Sequence, residues 1–191
     1  MILETKFKPV IKWSGSKRSQ APTIIKNVPN FEKYYEPFVG GGSIAYALAP
    51  QSGICGDAYS PLIEFWGKVK QEPNKLSESY AMQWQELQDD GHTVFNKVRD
   101  RFNLSPNAED LLFLSRTCVN GLIRFNRNGE FNNALHHTRK GINPKTLHSI
   151  ILQLPKELYK QHLFIESGNS SFRKVMDGKQ EMVTESLYLN Y

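Results

Sequence analysis

Cysteine is almost missing from this 191-residue chain: Cys55 and Cys118 stand far apart, without the spacing of a metal site. A disulfide framework is thereby excluded, and a reducing compartment is expected. No apolar run approaches the roughly 18 residues of a membrane span. The opening stretch, Met1 to Val10, is broken by Glu4, Lys6, Lys8 and Pro9 and does not read as a signal peptide. A cytoplasmic protein with no membrane partner is the expectation. There is no internal repeat and no low-complexity tract. Acidic residues are in the minority, 19 against 24 Lys plus Arg, which leaves a net charge of +5. That balance leans toward polyanions, although a basic soluble protein without such a partner has it too. The length suits one domain with a packed core, or a core plus a small insert.

What is present begins with Glu36-Pro37-Phe38-Val39-Gly40-Gly41-Gly42-Ser43, set between an apolar run and a short helix-like segment, Ser43 to Ala49. A strand, a glycine turn and a helix start form the setting that a nucleotide-type cofactor needs. Glycines let the backbone take positive φ and let a ligand lie on bare main chain. Gly40, Gly42 and Ala45 fit the G-x-G-x-x-A pattern, and Asp57 follows at the end of a second apolar stretch, where an acid can bond ribose hydroxyls. NAD and S-adenosylmethionine folds share this arrangement. A tight turn without a ligand, with Asp57 as a turn residue, uses the same residues. Glu36 would repel a pyrophosphate but not a cationic cofactor.

The remaining pattern predicts helices near Thr23–Asn27 and Pro61–Lys70, the latter with Ser60 as N-cap. Strands are expected at Tyr34–Phe38, Gly53–Asp57, His162–Glu166 and Leu187–Leu189. From Asn74 to about Leu122 the chain reads as helical throughout, at Lys75–Gln88, Thr93–Phe102 and Ala108–Asn120. Leu111, Leu112, Leu114, Cys118 and Leu122 form its apolar face. A β-hairpin is predicted over Arg124–Asn132, with Asn128-Gly129 as a type I′ turn. Helix returns at Pro144–Leu154 and, briefly, at Ser170–Met176.

Two further segments carry chemistry. In Trp13-Ser14-Gly15-Ser16-Lys17 a Trp sits in a polar turn, where its face suits a sulfonium or a purine and Lys17 suits a carboxylate or phosphate. A Trp that merely closes the base of the domain is the alternative. In Arg116 to Asn132, Arg and Asn alternate with aromatics, and a two-stranded ribbon of this kind fits the major groove of DNA. A solvated hairpin whose polar residues satisfy its own turn fits as well.

Taken together, the three segments resemble those of Dam-type DNA adenine N6-methyltransferases, over nearly the whole chain. Lys12 to Lys17 is similar to their K-W-x-G-x-K motif, Glu36 to Ser43 to E-P-F-x-G-G-G-S, and Arg116 to Asn132 to R-T-C-x-N-G-L-x-R-x-N-x-x-G-x-F-N. The resemblance implies an α/β fold: a Rossmann-like methyltransferase sheet, here incomplete, formed by residues 1–70 and 155–191. It also implies a helical insertion, 71–154, that carries the hairpin and recognises duplex DNA. S-adenosylmethionine is the implied cofactor, held by Trp13, Gly15, Lys17, Glu36, Pro37, Phe38, Gly40, Gly41, Gly42, Ser43, Asp57 and Asn169. Arg116, Asn120, Arg124, Asn126, Arg127 and Asn128 are the implied DNA contacts.

The chain departs from that pattern in several places. Tyr59 stands where the family often has Asn, Gly168-Asn169-Ser170 where it has Gly-Asp-Phe, and Asn133-Ala134-Leu135-His136 where it has V-P-F-G. The catalytic Asp-Pro-Pro-Tyr motif corresponds to Asn190-Tyr191, without the prolines. The expectation is therefore a truncated enzyme, weakly active or inactive alone, with an exposed apolar strand edge: a fragment, a split enzyme whose sheet a second polypeptide completes, or a decayed gene product. A non-catalytic DNA-binding module that kept the hairpin is the rival reading, and a generic NAD enzyme a third.

Overall fold

The computed structural model describes residues 8–48, 53–154 and, for the backbone alone, 162–166. After an N-terminal loop, helix α1 (Ala21–Lys26) leads to strand β1 (Tyr34–Glu36) and helix α2 (Ser43–Leu48). Strand β2 (Gly53–Asp57) is followed by helices α3 (Ser60–Gln71), α4 (Pro73–Leu104) and α5 (Ala108–Thr117). A 3₁₀ turn (Val119–Gly121), a looped hairpin, helix α6 (Pro144–Leu152) and strand β3 (His162–Glu166) complete the order among the described residues. The strands form a parallel sheet, β1-β2-β3, in the register Glu36 to Cys55 and Cys55 to Phe164. This is a mixed helical structure with a small parallel sheet, compatible with an α/β methyltransferase fold. The strands place Glu36 and Asp57 at one edge, their carboxyl ends, where open parallel sheets bind ligands.

Local chemistry accounts for most boundaries. Pro37 ends β1 two residues before the predicted limit, since proline offers no N–H to a ladder. Asn107 caps α5 by accepting from the Asp110 N–H at 2.9 Å, and Asn143 caps α6 by accepting from the Lys145 N–H at 2.9 Å. The expected Ser60 cap of α3 is shifted: Ser60 is already helical, and Tyr59 occupies the cap position without a side-chain bond. The two helices expected at 75–88 and 93–102 are one long span, bent where Asp90 (φ −125°) and Gly91 (φ 41°) leave helical geometry.

Helix α5 is the centre of the core. Leu111, Leu112, Phe113 and Leu114 have no exposed surface, so the helix is apolar all round rather than on one face. It packs on both α3 and α4. Leu122, expected on its apolar face, lies beyond the helix and is 44% exposed. Ion pairs fasten the first turn of α5: Arg101 to Asp110, and Lys68 to Glu109 at 2.8 Å. The expected strand at 187–189 and helix at 170–176 lie outside the described residues. Among the described residues, no helix is long and apolar enough to cross a membrane.

Candidate functional site

The glycine turn between β1 and α2 is held between two tryptophans. A Cβ at Gly40 would fall 2.9 Å from Trp13 Cδ1, and one at Gly42 would fall 2.8 Å from Trp66 Cζ2. Gly42 also has φ +68°, so both conformation and space demand the absence of a side chain. Trp66 Nε1 donates to the Gly40 carbonyl at 2.9 Å, and the Val39 N–H donates to the Gly56 carbonyl at 2.8 Å. The turn is thus anchored to β2 and to α3 before any ligand arrives. Trp66 escaped sequence reading because it occupies an ordinary apolar position on α3.

Above the turn lies a cleft of about 280 Å³, lined by Trp13, Gly15, Lys17, Glu36, Phe38, Gly40, Gly41, Ser43 and Asp57. Three segments distant in sequence therefore meet in one hollow. Pro37 and Gly42 belong to the same turn but do not line it, and Asn169 lies outside the described residues. Ser16 Oγ and Ser43 Oγ are 2.8 Å apart, which ties the N-terminal loop to the first turn of α2.

Two carboxylates give the cleft its electrostatic character. Asp57 accepts from the Gly40 N–H at 3.1 Å through Oδ2 and from the Tyr59 N–H at 3.2 Å through Oδ1. Burial raises its pKa, and these bonds oppose the rise. The Ala58 backbone bonds this carboxylate as well, and its roughly four lone-pair sites still leave capacity for a ligand hydroxyl. Glu36 Oε2 accepts from the Tyr34 hydroxyl at 2.8 Å and from the Ala45 N–H at 3.2 Å. Burial outweighs both bonds and pushes its carboxyl up to about 7. A buried acid of this kind gains from a cation placed beside it. Phe38, 65% exposed on the lip, adds an apolar surface. Among the described residues, no cluster of His, Cys, Asp and Glu could hold a metal ion.

The second set of residues divides on inspection. Arg116 is not on the surface: its guanidinium is buried, with Nε donating to the Val10 carbonyl at 2.8 Å and Nη2 to that of Pro9. The reading of Arg116 as a DNA-facing residue is corrected accordingly; it fixes the segment that leads to Trp13. Burial lowers its pKa to about 10. Asn126 is likewise engaged in its own loop, accepting from the N–H groups of Asn128 and Glu130 at 2.9 and 3.0 Å. Arg124 is exposed and spans the hairpin to Asn132 Oδ1 at 3.0 Å. Arg127 and Asn128 are exposed at the tip.

The hairpin turn also differs from expectation. Among the described residues, Asn120 is the only non-glycine with positive φ (57°), and Gly121 follows at 65°. The Asn-Gly pair with two positive φ values is therefore 120–121, not 128–129. Around Gly129 the Gly129 N–H donates to the Asn126 carbonyl at 3.0 Å and the Asn126 N–H to that of Glu130 at 2.8 Å. That is the three-residue loop form, with one glycine at positive φ. Buried Asn133 braces the Asn120-Gly121 turn, donating to the carbonyls of Val119 and Leu122 at 2.9 Å. Asn103 of α4 pairs with both backbone groups of Phe131, at 2.7 and 3.1 Å. Asn103 was not singled out in the sequence and Asn133 stood there only as a departure from V-P-F-G, since amide pairing to a distant backbone leaves no local pattern.

Beside Asn120 a wider depression of about 680 Å³ is lined by Lys12, Arg18, Asn120, Gly121 and Leu122. It shares Trp13 to Ser16 with the first cleft, so that loop is a wall between the two. Burial, then Arg139 and Arg116, lowers the pKa of Lys12.

Residues 13–183 match the family model of D12 class N6 adenine-specific DNA methyltransferases. The chain is similar to the type II methyltransferase M.MjaIII of Methanocaldococcus jannaschii, with 34% identity over 65% of this chain and 50% of the relative. It is similar to the type II methyltransferase M1.LlaDCHI of Lactococcus lactis subsp. cremoris, with 26% identity over 92% of this chain and 62% of the relative. It also resembles the DNA N-6-adenine-methyltransferase of Escherichia phage P1, with 32% identity over 68% of this chain and 18% of the relative. The chain thus spans less than two thirds of the length of each.

Proposed function

The chain belongs to the D12 class of N6 adenine-specific DNA methyltransferases, and from that membership we propose that it binds S-adenosylmethionine in the 280 Å³ cleft and duplex DNA on the face bearing Asn120 and the hairpin, for methylation of adenine at N6. The observation that carries this reading is the meeting of Trp13–Lys17, Glu36–Ser43 and Asp57 around one hollow. The donor set fits the cofactor, which carries positive charge at sulfur and at its amino group and has two ribose hydroxyls. When bound, it supplies a methyl group made electrophilic by that positively charged sulfur.

Asp57 is assigned to the ribose, using the acceptor capacity left by its backbone donors. Glu36 supplies negative charge for the cationic part, and the Trp13 ring supplies an aromatic face. Gly40 and Gly41 leave main chain open to the methionine portion, with Phe38 closing the lip and Lys17 facing its carboxylate. Asn169, Asn190 and Tyr191 keep the roles the resemblance implies, at the cofactor adenine and at the target base. The core is proposed as a Rossmann-like sheet, with 71–154 as the DNA-recognising insertion. In it Asn120, Arg124, Arg127 and Asn128 face the duplex, while Asn126 and Arg116 hold the surface in shape.

Two readouts test this. S-adenosylhomocysteine should raise the melting temperature of the wild type and not that of Trp13→Ala or Asp57→Ala. Nucleoside mass spectrometry of DNA incubated with the chain and S-adenosylmethionine reports N6-methyladenine. A wild type whose melting is unmoved by millimolar ligand would overturn the assignment of the cleft.

A further inference from the structure

Tyr59 occupies a position where the resemblance leaves it without a role, since the family often has asparagine there. Its ring nevertheless lies between the two candidate surfaces. The Trp13 ring is 6.0 Å away, centroid to centroid, and the Phe125 ring of the hairpin is 5.5 Å away at 62°. Phe125 meets Phe131 at 6.2 Å and 83°, and Phe131 meets Phe102 of α4 at 6.2 Å and 87°. These are the tilted and edge-on geometries in which aromatic pairs attract. The Tyr59 backbone is fixed from the other side: its N–H donates to Asp57 Oδ1, while Asp57 Oδ2 accepts from Gly40. One residue is therefore bonded to the acid of the cleft, packed on the Trp that walls the cleft, and packed on the base of the hairpin.

We propose that Tyr59 is a positioning residue that couples cofactor binding to DNA binding by holding Phe125 and the hairpin against Trp13. The inference rests on the cleft and hairpin assignments made under Proposed function. A ligand seated against Trp13 restricts that ring, the restricted ring confines Tyr59, and Tyr59 orders the base of the hairpin. DNA then meets a hairpin whose ordering cost has been lowered. Linkage requires the reverse effect too, so DNA tightens the hold on cofactor by the same factor. Asparagine, which the family often has there, has no ring to reach both neighbours.

The test is a set of dissociation constants for the full chain. A fluorescent duplex of mixed sequence is titrated with and without saturating S-adenosylhomocysteine, for wild type, Tyr59→Phe and Tyr59→Leu. The wild type and Tyr59→Phe should bind DNA at least about 5-fold more tightly with the ligand. In Tyr59→Leu, which fills volume without a ring, the ratio should fall to about 1 while each ligand alone still binds. A merely structural role would lower the melting temperature and leave the ratio intact. Should Tyr59→Leu fail to fold, Phe125→Leu reads the same contact from the hairpin side, with the same loss expected. A wild-type ratio of 1, or a variant ratio equal to the wild type, overturns the coupling and leaves the site assignments standing. Failure of the wild type to bind S-adenosylhomocysteine at all overturns both.

Discussion

At Glu36 burial and charge act in opposition. Removal from water lifts its carboxyl from 4.5 to about 7, even though the Tyr34 hydroxyl and the Ala45 N–H both favour the ionised form. The folded chain therefore keeps a proton up to about pH 7 that the unfolded chain releases above about 4.5. Folded protein binds more protons across that window, so its stability falls as pH rises through it. Glu36→Gln removes the titration, and melting curves at a series of pH values should show the wild type losing ground to the variant between about pH 4.5 and 7. Parallel curves would contradict the assignment. A second residue-scale comparison separates conformation from space. Gly15 (φ +76°) has nothing within 4 Å of an added Cβ, whereas at Gly42 (φ +68°) the Trp66 ring is 2.8 Å away. Gly15→Ala should cost about 1–2 kcal/mol from the left-handed backbone alone. Gly42→Ala should cost roughly 1–3 kcal/mol more, from overpacking. Urea denaturation of the two variants reads the difference.

Elements in this molecule are joined by side chains that take the place of missing backbone partners. The hairpin rests on α4 through Asn103, whose amide pairs with both the N–H and the carbonyl of Phe131. Asn103→Ala should cost about 1–3 kcal/mol by leaving partly buried backbone groups unpaired. It should weaken DNA binding while leaving S-adenosylhomocysteine affinity at its wild-type value, which filter binding and calorimetry can separate. Arg116 joins α5 to the N-terminal loop in the same manner, through the carbonyls of Pro9 and Val10. Arg116→Met should destabilise by about 2–4 kcal/mol. Its effect should reach cofactor affinity through the loop that carries Trp13. A residue acting by direct contact with DNA would spare the cofactor and lower only DNA affinity.

Across the whole molecule, what the sequence announced and what it hid follow from the range of the interactions. Strands β2 and β3 stand where short apolar runs bounded by turn residues placed them, because those signals are local. The glycine turn was legible because positive φ at Gly40 and Gly42 strongly favours glycine. Which of two Asn-Gly pairs would take a double positive φ was not legible, since the bonds that brace the 120–121 turn come from Asn133 in another segment. The burial of Arg116 was hidden for a similar reason: a motif gives residue identity but not solvent exposure. Trp66 and Tyr59 take their places from the packing of α3 and the hairpin, which no window of sequence contains. The net charge of +5 adds a bulk prediction, that the logarithm of DNA affinity falls linearly with the logarithm of salt concentration. The claim on which all of this depends is that the Trp13 loop, the glycine turn and Asp57 enclose a cofactor. Ultraviolet photolabelling with radioactive S-adenosylmethionine, followed by peptide mapping, tests it most directly. The label should be recovered on the peptides that hold Trp13 or Phe38 and should be lost in Asp57→Ala. Label confined to other peptides, or undiminished in that variant, would contradict it.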